Sequence, residues 1–303
     1  MFQILRLPAL WGVCWLLSPA PLWGWWDPGH MVIALIAQDQ LSPQARAQVG
    51  QLLAIPLELE AGEDPLALAS VWPDLLKERG LRAFDSWHYL STPTHPEAAP
   101  PVKASAAKPA EAPGQLLAIL GQCRDTLGNP KSGSWEKAFM LRWLVHLVGD
   151  LHQPLHCVDR FDRGFPRGDL GGLRFAVSYG SITNLHFLWD SGAGLLPEFR
   201  YPDYRRSSDH APSEALRALA RKLQGQFPRG AFPQLPEANP AAWAAESAQL
   251  AKTVAYSGIR PGQVPKAAYL AKSRRVIAQQ WALAGYRLGN LLNERLGSTG
   301  WTR

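Results

Sequence analysis

An all-α fold is predicted for this chain: one mostly helical domain with at most a short β-ribbon. Three observations carry the prediction. Apolar residues recur at helical spacing through most of the chain. Cap-then-proline starts such as Ser42-Pro43 punctuate those stretches. Clear alternation is confined to Leu173 to Tyr179. With 303 residues, 47% hydrophobic and 18% charged, the chain has material for a large core and is neither disordered nor fibrous.

The elements follow in order. Met1 to Ala20 reads as a secretory signal, with Arg6 in a short n-region and an apolar run from Leu7 to Leu17 too short to span a bilayer. Ser18, Ala20 and Gly24 are the small residues around a cut, so residues 1–24 are assigned to the signal and 25–303 to the functional domain. Cys14 does not read as a lipoprotein anchor, because Val13 precedes it. No membrane anchor, a secreted or periplasmic location and a monomer are expected. His30 to Leu41 places Ile33, Ile36 and Ala37 on one face. Leu66 to Lys77, Gln115 to Leu127, Trp135 to Leu151, Ser213 to Gln226, Ala241 to Val254 and Lys266 to Leu296 also carry helical spacing. Pro93 to Gly114 and Phe227 to Pro240, rich in Pro and Ala, read as long surface loops, since helical patterns resume on both sides.

Lys and Arg number 31 against 25 Asp and Glu, a formal charge of +6; Arg6 leaves with the signal. So mild an excess reads first as solubility and only second as affinity for a polyanion. Cys14, Cys123 and Cys157 show no Cys-x-x-Cys spacing, which excludes a thiolate zinc ribbon and a disulfide scaffold. An oxidising compartment would permit a Cys123–Cys157 bond without requiring it.

The eight histidines carry the chemistry. His146 and Asp150 stand four apart in a helical stretch and share a face; His186 and Asp190 repeat that spacing. His156 follows Pro154, which ends the helix. Asp74 and His88 add one residue of each type, and His30 opens the first helix. Taken singly, His-x-x-x-Asp is a surface ion pair, His88 between two aromatics a core residue, and Asp74 a helix cap. Taken together, His146, Asp150, His152 and His156 lie in an otherwise apolar segment, where burial without metal or partners is costly. A metal cluster follows, built from the nitrogen and oxygen ligands that zinc accepts. His152 faces away from His146 and Asp150 and reads as support for them; His95 and His210 sit in loop-like contexts.

In order along the chain stand WWDPGH, VWPD, WHY, LVHLVGDLHQPLH, DLGGL, NLHFLWD, WAAES and AGYRLGNLLN. From Trp25 to about Asn293 this series resembles the secreted single-strand-specific zinc-dependent nucleases of fungi, plants and bacteria. The resemblance implies an all-α fold with three zinc ions in a cleft. It implies one zinc held by Asp74, His88, His146 and Asp150, and a second by His30, the bridging Asp150 and the amine and carbonyl of an N-terminal Trp25. The third would be held by His156, His186 and Asp190. Three Zn²⁺ against three Asp leave about three positive charges for a phosphodiester, with paired ions serving the attacking water.

Asp74 is also expected to orient the nucleophile, and Lys77, one turn later, to assist the phosphate. Tyr89 is the candidate platform for a base, with plain packing as the alternative. Three positions depart from the family pattern: Trp26 replaces the Gly after the terminal Trp, so Trp26 is a rival for residue one; Ser91 replaces a carboxylate that reads the base; Leu173 replaces the Asn after the double Gly. The expected function is hydrolysis of single-stranded DNA and RNA to 5′-phosphate products, with 3′-nucleotidase activity as an extension. The rival readings are a zinc-dependent phospholipase C, which shares the fold but typically has Glu where Asp190 stands, and a non-catalytic zinc- or polyanion-binding protein.

Overall fold

The computed structural model describes residues 25–57, 64–95, 114–196 and 214–297. Within them the chain is one mostly helical domain: α1 (Asp27–Asp39), α2 (Pro43–Leu53), α3 (Pro65–Ala69), α4 (Trp72–Glu78), α5 (Leu116–Gly128), α6 (Ser134–Leu151), α7 (Leu185–Asp190), α8 (Glu214–Gln226), α9 (Pro240–Leu250) and α10 (Ala267–Leu296). β1 (Thr92–Thr94) pairs in parallel with β2 (Val158–Arg160), and β3 (Ala176–Tyr179) pairs antiparallel with β4 (Ile182–Asn184). Short 3₁₀ turns cover Arg82–His88 and Pro154–Cys157. The expected signal at residues 1–24 and His210 lie outside the described residues.

Two apolar helices organise the core. α1 is buried from Asp27 to Ala37, because apolar residues occupy nearly its whole circumference. It packs against α10, α8, α3 and α6. Its approach to α10 depends on Gly285, where an added Cβ would stand 2.6 Å from Ile36 Cβ. α6 is buried from Leu141 to Leu151 and packs against α5, α10 and α2. Its buried Arg142 donates to Leu53 O and Ile55 O at 3.4 and 3.1 Å, meeting the carbonyl end of α2. Ser42 caps α2 as expected, its Oγ accepting from Ala45 N at 3.2 Å.

The expected helix over Leu66 to Lys77 is two helices with a break at Ser70-Val71. Pro73 has no N–H for the carbonyl of Ala69, and its ring crowds that turn, so the first helix stops and a second starts. The helix expected from Ala241 begins one residue earlier, at Pro240, behind its Asn239 cap, and widens into a π-turn over Ala251–Ala255. The ribbon within Leu173 to Tyr179 exists, trimmed to β3, and the loop from Phe227 to Pro240 contains one 3₁₀ turn, Arg229–Ala231. Cys123 and Cys157 are both buried free thiols; Cys123 Sγ lies 3.7 Å from Met140 Sδ and Cys157 Sγ 3.4 Å from Leu151 O.

Candidate metal centre

α6 presents His146 and Asp150 one turn apart, with His146 Nε2 3.1 Å from Asp150 Oδ2. α1 brings His30, whose ring stacks on His146 with centroids 4.0 Å apart and whose Nε2 is 3.4 Å from Asp150 Oδ1. Gly149 makes that approach possible, since a Cβ there would stand 2.7 Å from His30 Nδ1. α4 supplies Asp74. The 3₁₀ turn after it ends in His88, whose Nδ1 is 2.9 Å from His146 Nε2, 3.2 Å from Asp150 Oδ2 and 3.9 Å from Asp74 Oδ1. Ligand atoms of His30, Asp74 and His146 fall within 4.8 Å of one another, and so do those of His88, His146 and Asp150. A second group joins His156, after α6, with His186 and Asp190 of α7. His186 Nε2 is 3.3 Å from Asp190 Oδ2, and the two imidazoles stack at 4.9 Å. His156 Nδ1 lies 3.7 Å from Asp150 Oδ1, so the two groups adjoin. All eight side chains are buried.

Three of the histidines are oriented by backbone. His146 Nδ1 donates to Ser70 O, His156 Nδ1 to His88 O and His186 Nδ1 to Gly171 O, each at 2.7 Å. A carbonyl can only accept, so the hydrogen sits on Nδ1 and a neutral ring turns the lone pair of Nε2 to the group. Around them both nitrogens of His30, both oxygens of Asp74 and Oδ1 of Asp150 are buried without a hydrogen-bond partner. Lone pairs and carboxylate oxygens packed this way repel and lack solvation unless a cation joins them. This donor set, nitrogen and oxygen without thiolate, fits a divalent metal such as zinc.

Protons report the same demand for positive charge. Burial alone would push His146 down, but the charges of Asp150 and Asp74 outweigh it and hold the ring up at about 9. Burial opposes ionisation of Asp150, yet His146 and His156 hold its carboxyl well below the usual range. His30 goes the other way, down to about 4, chiefly through burial and then through the charge on His146. One imidazole keeps a proton between the carboxylates, and its neighbour loses one.

The remaining candidates divide. Trp25 is fully buried; its Nε1 donates to Gly149 O at 2.9 Å and its ring meets Trp281 edge-on at 5.5 Å. Trp26 is buried too, and its N–H donates to Asp190 O at 3.1 Å. Lys77 is buried one turn after Asp74, its ammonium pushed down by burial against the opposing pull of Asp74, Asp85 and Asp150. Tyr89 is buried beside a narrow recess shared with Ser91, Asp159, Leu170, Gly171 and His186. That recess therefore reaches the second group. Leu170 and Gly171 there have φ of 56° and 59°, and a Cβ on Gly171 would stand 2.4 Å from Leu155 O, so the turn that aims Gly171 O at His186 requires glycine.

His152 faces away, as expected: Nδ1 donates to Val148 O at 2.8 Å, leaving Nε2 to accept from Arg287 at 3.0 Å. His95 is exposed, near Phe161 O. One residue was missed by sequence reasoning. Gln153 is fully buried, donates from Nε2 to Asp190 Oδ1 at 2.6 Å and accepts from Leu155 N at 2.7 Å, so it ties α7 to the turn carrying His156. The available signal was an amide inside the apolar HQPLH run.

Comparison with known proteins agrees with this geometry. The chain is 28% identical over 286 residues to Endonuclease 3 of Arabidopsis thaliana, covering 89% of this chain and 88% of that protein. It is 25% identical over 284 residues to Nuclease S1 of Aspergillus oryzae, with 89% and 91% covered. Nuclease P1 of Penicillium citrinum matches at 25% over 296 residues, with 90% and 98% covered. The S1/P1 Nuclease family model matches residues 25–297, which include every buried His and Asp of the two groups. The chain thus belongs to the S1/P1 nuclease family, and with it to the hydrolases.

Proposed function

We propose that the protein is a secreted or periplasmic zinc-dependent nuclease, processed to residues 25–303, that hydrolyses single-stranded DNA and RNA to 5′-phosphate products and also removes phosphate from 3′-nucleotides. The observation that carries the reading is the set of three imidazoles locked as Nδ1–H donors to Ser70, His88 and Gly171, with Nε2 of His146 and of His186 turned to the buried carboxylates of Asp150 and Asp190. Three zinc ions are proposed. Asp74, His88, His146 and Asp150 would hold one, His30, Asp150 and the amine and carbonyl of Trp25 a second, and His156, His186 and Asp190 the third. When bound, zinc supplies Lewis-acid charge at the phosphate and a more acidic water.

The chain's own residues do the rest. Asp74 is held below the usual carboxylate range by His146, His88 and Lys77 against the opposing effect of burial, so it is ionised at neutral pH and orients the attacking water. Lys77 balances charge where a phosphate oxygen would sit. Water attacks phosphorus, the bond to O3′ breaks, and the 3′ oxygen leaves with a proton. Tyr89, which lines the recess together with His186, would stack the base, which an unpaired strand can offer and a duplex cannot. Among the described residues no helix is long and apolar enough to cross a membrane.

The test is a zinc-reconstituted assay of the processed protein on single-stranded DNA, RNA, matched duplex and phosphatidylcholine, with a chelator control. The expected result is chelator-sensitive release of 5′-phosphate products, much faster from single strands. Cleavage of phosphatidylcholine alone, or metal and nucleic-acid binding without any product, would overturn the proposal.

A further inference from the structure

We propose that the loop over residues 161–168 is a phosphate-binding arm, which grips the backbone of a single strand beyond the nucleotide at the Tyr89 recess. The inference rests on the nuclease reading above. The arm leaves the recess at Asp159 and returns to it at Leu170, both of which line it. Its neck is closed by two hydrogen bonds, Arg160 N to Asp169 Oδ1 and Asp169 N to Arg160 O, each 3.0 Å. Phe161 N adds a third, to Thr94 O at 2.8 Å.

The arm is built to be stiff. Asp162 Oδ1 accepts from Gly164 N at 2.7 Å and Phe165 N at 3.1 Å, while its Oδ2 takes the Arg160 guanidinium at 2.8 and 2.7 Å. Phe165 stacks on the buried Phe175 at 6.0 Å, and the Arg160 guanidinium lies over Phe175 and Tyr256 at 5.4 and 5.2 Å. Arg160 thus neutralises Asp162. Asp159 and Asp169 are buried at the neck, their Oδ1 atoms accepting from Leu170 N and Arg160 N.

What the arm shows to solvent is therefore positive. Arg163 and Arg167 flank the anchored Phe165, are exposed, and make no ion pair or hydrogen bond with any described residue. Arg174, also exposed, stands at the neck and donates to Gly168 O at 3.1 Å. Guanidinium groups match phosphate oxygens in fork geometry, and a pre-ordered arm loses little entropy in meeting them. Such contacts carry no sequence preference, which suits a stacking platform that accepts any base. A mononucleotide held at the recess has no further phosphate to offer the arm, so the benefit grows with strand length.

The test joins Arg163→Ala to Arg167→Ala in the processed zinc-loaded protein. KM for a single strand of about 20 nucleotides is compared with KM for a 3′-nucleotide, and binding of a fluorescent phosphorothioate strand is followed by anisotropy across salt. Two lost phosphate contacts lower the slope of log affinity against log salt by about 1.4, so from about 50 to about 200 mM salt the wild type should lose about 7-fold more affinity than the variant. The ratio of long-strand KM to 3′-nucleotide KM should rise, and the paired Arg→Lys variant should recover most of the slope. Equal slopes and an unchanged KM ratio would overturn the arm. A wild type that binds the strand with the expected slope difference yet cleaves nothing would support the arm and overturn the nuclease reading.

Discussion

Replacing Gln153 by Leu should loosen the second metal group without touching a metal ligand. Its two hydrogen bonds, to Asp190 Oδ1 at 2.6 Å and from Leu155 N at 2.7 Å, are both buried. Leu fills a similar volume but leaves Leu155 N–H without its acceptor, at about 1–3 kcal/mol, and takes a donor from a charged oxygen, at about 1.5–3 kcal/mol. The sum, roughly 2.5–6 kcal/mol, is a large share of the stability of an ordinary domain and should lower Tm by roughly 5–15 °C. Asp190 without its orienting partner should also hold metal about 10- to 100-fold more weakly. The assay is a melt with and without zinc, together with zinc content across a chelator titration, where the variant should release about one ion per chain ahead of the wild type. Gln153→Glu keeps an acceptor for Leu155 N, and it should melt closer to wild type at low pH, where the two carboxyls share a proton. It sets a carboxylate against Asp190, so the acid limb of its activity should shift upward. A Leu variant that melts with the wild type and keeps all its zinc through the titration would refute this reasoning.

Asp150→Asn should abolish hydrolysis and release two zinc ions, because its carboxylate faces His30, His88 and His146 together; full zinc retention by mass spectrometry would contradict it. The metal-free protein should be most stable near pH ~6.5. The proton that the fold keeps on His146 stabilises it below the unfolded imidazole value and is lost as pH rises through about 9, whereas His30, held neutral down to about 4, adds stability that is lost as pH falls towards that value. A urea midpoint that rises from pH ~6.5 to ~9.5 would show the wrong sign for His146. One extra residue ahead of Trp25 should remove a zinc and most activity, since an acylated nitrogen has no lone pair to give. Trp25 rather than Trp26 should be residue one by N-terminal sequencing, because losing a fully buried indole costs about 3–5 kcal/mol.

What could be read from sequence was what depends on local spacing. His146 with Asp150 and His186 with Asp190 are one-turn pairs, and a helix brings such residues to one face whatever surrounds it. The helices were legible for the same reason, since apolar periodicity survives in a linear string. Three-residue strands were not: β1 and β2 pair across 66 positions and carry no alternation long enough to read. Gln153 was missed because a buried amide matters only through Asp190, 37 residues away in another helix. His152 was read as facing away from Asp150, but its partner Arg287 lies 135 residues on.

The misread break at Ser70 is instructive because the site uses it. In an unbroken helix the Ser70 carbonyl would accept from Asp74 N–H; the break that Pro73 forces releases it, and His146 Nδ1 takes it instead. The other two orienting carbonyls lie at irregular points as well. His88 closes a 3₁₀ turn, and Gly171 takes a left-handed conformation at a point where a Cβ would collide with Leu155 O. Carbonyls in the middle of a regular helix are already engaged along the backbone; only those in a last turn, as Val148 O is for His152, or in irregular backbone are free to set an imidazole tautomer. A centre that needs several neutral histidines with Nε2 facing inward must therefore be assembled where helices stop. The irregular backbone around this cluster is then the part of the fold that turns eight buried polar side chains into a place for cations, and the regular helices hold those ends together.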